Sequence, residues 1–151
     1  MSHVRDLMLG AVIGIALVVV AEHLLGVLSA ISIGDAYIKW ITAHDVVWLG
    51  MMAWYVIVIG IPGMVLPSFI IVFISVWGTH AKWKSMCGAI IVVYIGKFLI
   101  DTARTAYEHP GLIELNGYSV FLPSLLLPIG VVAGGFVGSR LLYKATPPAS
   151  W

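Results

Sequence analysis

Charge is scarce in this sequence. Eight Lys and Arg and seven Asp and Glu are spread over 151 residues, for a formal net charge of +1. Nucleic-acid binding draws on clustered cations that neutralise phosphates, so a balance this near neutrality excludes a strongly basic nucleic-acid surface. Cysteine is scarcer still. Cys87 stands alone, which rules out an intrachain disulfide and leaves it as a small packing residue. No glycine-rich phosphate loop follows a strand-like run, and no convincing pair of nucleophile and base stands out. Ser68, Ser75 and Ser124 are lone hydroxyls in apolar context, suited to bonding the nearby backbone. The chain is therefore expected not to be an enzyme.

What is present is apolar side chain: 61% of residues are hydrophobic and the mean hydropathy is +1.05. A water-soluble domain of this length cannot hide so much apolar surface, so the class is integral membrane. Four crossings with their loops would use nearly the whole chain, leaving one membrane domain, 1–151, and no separate soluble domain. The opening MSHVRDLMLG loosely resembles a signal peptide. The apolar run continues past Ala30 without a cleavage site and a polar mature chain, which favours a retained first span.

The expected fold is an all-α bundle of four transmembrane helices, with spans at about 7–31, 46–77, 86–105 and 118–143. Between the first two, SIGDAYIKWITAHD reads as a loop or short interfacial helix, and Tyr37, Trp40 and Trp48 suit a headgroup belt. The second run exceeds one upright crossing and contains GIPGMVLP. Pro62 and Pro67 each remove a backbone donor, and Gly60 and Gly63 ease bending. A long helix hinged at Pro62, Gly63 and Pro67 competes with a re-entrant hairpin. The kinked helix is preferred, because a lipid-exposed break strands backbone polar groups. The third span should continue through DTARTAYEH until Pro110 and Gly111. In the fourth, Pro123 and Pro128 are expected to bend the helix, and the tail KATPPASW to be loosely ordered.

Lys and Arg gather on the cytoplasmic side of membrane proteins. Placing the N-terminus inside puts Arg5, Lys82, Lys84, Arg140 and Lys144 on that side. Lys39 and Arg104 fall outside, with Asp35, Asp45, Asp101, Glu108 and Glu114. Both termini are thus expected in the cytoplasm, and the membrane to be a prokaryotic cytoplasmic one.

Gly130, Gly134 and Gly138 recur every four residues, as do Gly10 and Gly14. On helices these make grooves that admit another backbone. They either pack spans one and four together or mediate contacts between subunits.

The run VVVAEHLLGV sets Glu22 and His23 inside the first span. At helical rise Glu22 lies roughly 22 Å along span one and Lys97 roughly 18 Å along span three, and these spans run in the same direction. Asp101 and Arg104 follow Lys97 on nearly one face, and Glu108 extends the ladder. An unpaired charge at such depth costs several kcal/mol. Glu22 or His23 is therefore expected to meet Lys97 and Asp101 in a buried charged layer between helices one and three. The plain interpretation is a structural ion pair or a snorkelling lysine. The functional one is a proton relay or cation-handling site.

Three acid and histidine neighbours occur: Glu22 with His23, His44 with Asp45, and Glu108 with His109. Imidazole and carboxylate suit metals and proton transfer. Adjacent helical residues point about 100° apart, so no dipeptide makes a two-pronged ligand. Haem between His23 and His44 has no flanking pattern behind it. No cofactor is expected, with a metal or haem as the lesser alternative.

Two function classes follow. One is a noncatalytic scaffold or subunit that assembles through its glycine faces, with itself or with other membrane subunits. The other is a small oligomeric channel or transporter for protons or cations, using the charged layer as its path and the Pro62–Pro67 bend as its gate.

Overall fold

The computed structural model describes residues 2–108 and 123–145. The elements are α1 (Ser2–Ser29), α2 (Asp35–Ala43), α3 (Val47–Trp54), a π-helical segment (Tyr55–Val65), α4 (Leu66–Thr79), α5 (Trp83–Glu108) and α6 (Leu127–Ala145). No strand occurs among the described residues. Three helices are long and apolar enough to cross a membrane: His3–Ser29, Val47–Thr79 and Trp83–Glu108. The apolar stretch Leu127–Tyr143 of α6 is shorter. The expected start of the fourth span at 118, the stop at Pro110 and Gly111, His109, Glu114 and the tail from 146 lie outside the described residues.

α1 and α5 contain no proline, so each satisfies its own backbone without interruption, the condition for crossing hydrocarbon. α1 begins earlier than expected, taking Asp6 into the helix, and stops at Ser29. The segment after it holds the short helix α2, anchored where the Tyr37 hydroxyl donates to the Gly50 carbonyl at 2.8 Å. Asp45 and His80 adopt left-handed backbone, with φ of 54° and 53°. At these points the chain turns from α2 into α3 and from α4 into α5.

α3, the π segment and α4 run end to end as one helix of 33 residues. Pro62 lies inside the π segment. In an α-helix its ring would strike the carbonyl four residues back and its missing donor would open the ladder. A wider turn, bonded five residues apart, accommodates both. Pro67 occupies the start of α4 within the continuous helix. In α6, Pro128 is the second residue and follows a turn at Leu125 and Leu126. It starts that helix instead of bending it, because the first turn needs no donor from it.

The two most extensive packings pair α1 with α5 and α4 with α6. A Cβ on Gly10 would lie 2.6 Å from the Met86 carbonyl oxygen, and one on Gly14 3.2 Å from the Ile90 Cα. Across the other seam, a Cβ on Gly134 would lie 3.0 Å from the Phe69 Cα and one on Gly138 3.1 Å from the Phe73 oxygen. Gly130 faces Ser68 and Val65. In both seams residue numbers rise together, so each pair is parallel. Within the chain these glycines therefore do not bring span one against span four: α1 packs on α5, and α6 on α4. Close backbone approach of this kind is the main source of helix adhesion in lipid.

α5 and α6 run oppositely. The buried Tyr94 hydroxyl donates to the Ser124 carbonyl at 2.7 Å, and Cys87 Sγ approaches the Val131 carbonyl oxygen at 3.5 Å. Leu17, Met64, Val72, Val76, Ile90 and Leu127 fill the centre.

Candidate functional site

Polar chemistry concentrates at two levels of the α1–α5 pair. At the end where α1 and α5 begin, Asp6 is only 1% exposed. Its Oδ1 accepts from Arg5 Nη2 at 3.1 Å, and its Oδ2 from the Lys82 backbone N–H at 3.3 Å. Asp6 thus supplies, from another helix, the acceptor that α5 lacks at its own start. A carboxylate there also opposes the positive end of the helix dipole. Beside it, Lys82 Nζ lies 3.4 Å from His3 Nε2, and His3 Nδ1 lies 3.2 Å from Ser85 Oγ. An ammonium only donates, so Nε2 accepts and the ring proton sits on Nδ1, donating to Ser85. Lys84 stands over Trp83 and Arg140 over Phe136 at this same end.

Asp6 was not distinguished by the sequence. It sits next to Arg5 at the edge of the apolar run and looks like part of a solvated flank. Its partner is the unfilled start of α5, 76 residues away. The signal that was available is local: Lys82, just before α5, carries no side-chain acceptor for that first turn.

At the second level, Lys97 Nζ of α5 donates to Glu22 Oε1 of α1 at 2.6 Å and also to Asp101 Oδ2, one turn along its own helix. Three of the five expected cluster members therefore meet. His23 is exposed and meets none of them. Arg104 donates to Glu108 at 2.8 Å, forming a separate pair one turn farther. The expectation of a buried layer needs correction. In a single chain the side chains of Glu22, Lys97 and Asp101 are 54%, 40% and 49% exposed. The pairing spans the α1–α5 seam, but the cluster opens onto the flank of the bundle. Glycines fill the seam below with backbone contacts.

Ser68 and Ser75 bond back to the Met64 and Ile71 carbonyls of their own helix. Ser68 also lies 3.3 Å from the Leu127 carbonyl oxygen of α6. Among the described residues no group of three or more His, Cys, Asp or Glu is placed to hold a metal ion. Of the proposed haem pair, His44 is engaged with the Trp40 carbonyl and lies tilted against the Trp40 ring, centroids 4.8 Å apart. Chemically, the cluster can hold a cation in place of Lys97, exchange a proton between its carboxyls, or pair with a charge brought by a neighbour.

Neither the family models, the curated proteins nor the solved structures include a match to this chain.

Proposed function

We propose that this chain is a small noncatalytic subunit of a membrane complex, built on four spans with both termini cytoplasmic, and that it assembles through the α1–α5 flank. The observation that carries this is the exposure of the Glu22–Lys97–Asp101 cluster. Lys97 is 15 residues from Lys82, or roughly 22 Å along a helix, against roughly 30 Å of hydrocarbon. Half-exposed charges at that depth face acyl chains unless protein covers them, and intramembrane charges find partners. The glycine seams are filled within the chain, so lateral assembly falls to this flank. The cytoplasmic placement of the termini rests on the basic end that gathers Arg5, Lys82, Lys84 and Arg140.

The alternative is a proton or cation path between copies. Unpartnered His23 beside Glu22 favours it, with the Pro62 and Pro67 region as the hinge. One experiment decides between the two. The purified chain is reconstituted alone in vesicles, and proton and monovalent cation flux is followed with Glu22→Gln as control. Subunit behaviour predicts no flux above empty vesicles. Flux that Glu22→Gln abolishes would establish the transport reading instead.

A further inference from the structure

Resting on the subunit reading, we infer that the α1–α5 flank docks a membrane-spanning helix that carries one basic side chain at the level of Glu22 and Asp101. Two carboxyl groups share the single ammonium of Lys97. With all three ionised, the cluster keeps one negative charge uncompensated. Arg104, the nearest other cation along α5, is bound to Glu108, and His23 meets neither acid. Among the described residues no second Lys or Arg is free at this level, and with both acids ionised a basic side chain from a neighbouring helix balances the charge.

The backbone around the cluster is bare on both helices. Gly96 precedes Lys97, and Gly26 lies one turn beyond Glu22; a Cβ at either would meet nothing within 4 Å. Gly10, Gly14, Gly130, Gly134 and Gly138 are each filled by a neighbouring helix, whereas Gly26 and Gly96, open like Gly34, Gly78 and Gly88 elsewhere, lie beside the charges. A passing helix can therefore come close enough for its Lys or Arg to reach a carboxylate without a long excursion, the geometry in which polar contacts add to dispersion in lipid. Lys97 takes Glu22 on one side and Asp101 on the other, so the incoming cation completes an alternating square of charge. A lipid amine could offer the charge, but it would leave the bare glycine backbone uncovered.

The test uses the full chain, fluorescently labelled, in phosphatidylcholine vesicles with designed Leu-Ala spanning peptides. The peptides are identical except for Lys, Gln or Leu at one position in the outer quarter. Energy transfer should show the Lys peptide associating about tenfold more tightly than the Gln or Leu peptides. The double variant Glu22→Gln/Asp101→Asn should lose that preference, and Gly96→Leu should lose binding of all three peptides while leaving the fold intact. Equal association of the three peptides overturns the inference, as does a Lys preference that survives the double variant. Transfer between copies of the chain itself, abolished by Gly96→Leu, would give the flank to a second copy and overturn it too. Failure here leaves the flux result untouched, so the subunit reading stands or falls separately.

Discussion

The glycine seams make opposite predictions for substitutions that look alike in sequence, and the pair Gly134→Ala and Gly96→Ala exposes the difference. Both are glycines inside apolar helices, and replacing an unencumbered helical glycine by alanine gains about 1 kcal/mol of helix propensity. At Gly96 nothing lies within 4 Å of the new methyl, so that gain should stand nearly whole in the isolated chain. At Gly134 the methyl would sit 3.0 Å from the Phe69 Cα and 3.1 Å from its carbonyl carbon. Backbone cannot rotate aside as a side chain can. α6 must therefore back away from α4 by several tenths of an ångström along the seam, forfeiting part of its dispersion with every residue there. The methyl overlaps the Phe69 carbonyl oxygen more closely still, so the cost lies in the upper part of the roughly 1–3 kcal/mol of overpacking, and subtracting the propensity gain leaves a net loss of about 1–2 kcal/mol. Equilibrium unfolding in mixed micelles, titrated with sodium dodecyl sulfate and followed by tryptophan fluorescence, measures both variants. Gly134→Ala as stable as the parent, or Gly96→Ala as damaged as Gly134→Ala, would refute the assignment of seam and flank.

Further outcomes follow from the polar contacts. Tyr94→Phe deletes the donor to the buried Ser124 carbonyl and should cost about 1 kcal/mol in the same assay; no measurable loss would count against that bond. Lys97→Met leaves Glu22 and Asp101 facing each other, so it should destabilise more than Glu22→Gln, and combining the two should recover part of the loss. A double-mutant cycle should give a coupling of about 0.5–1 kcal/mol, and a value of zero would deny the pair any role in stability. Pro62→Ala supplies the donor missing from the wide turn. Amides in 55–65 should then exchange more slowly by mass spectrometry, and unchanged protection would clear Pro62 as the cause of the π segment.

The long apolar helices were legible because hydrocarbon permits so few spanning structures: α1 and α5 follow directly from proline-free apolar runs. The meeting of Glu22, Lys97 and Asp101 was legible as well, since helical rise places Glu22 and Lys97 at similar heights and Asp101 one turn above Lys97. Their exposure was not. Spacing fixes height along an axis but leaves open which way a pair faces once two helices are joined. The same limit applies to the glycines. A row of them announces a groove, while the ridge that enters it belongs to another helix whose rotation the row does not encode; Gly130 found Val65 and Ser68, and Gly10 found Met86. The π segment escaped because its cause, Pro62, is equally compatible with a bend. Asp6 escaped because its partner is an unfilled helix start far along the chain.

The parallel seams set a schedule for biosynthesis. Each joins helices that are alternate, not consecutive, in the order of synthesis, so in the four-span arrangement proposed above α1 would wait in the bilayer until α5 has been made, and α4 until α6 arrives. During that interval Gly10 and Gly14 offer an empty groove to any passing span. Insertion factors that shelter newly made helices would matter most for this protein before its last third leaves the ribosome.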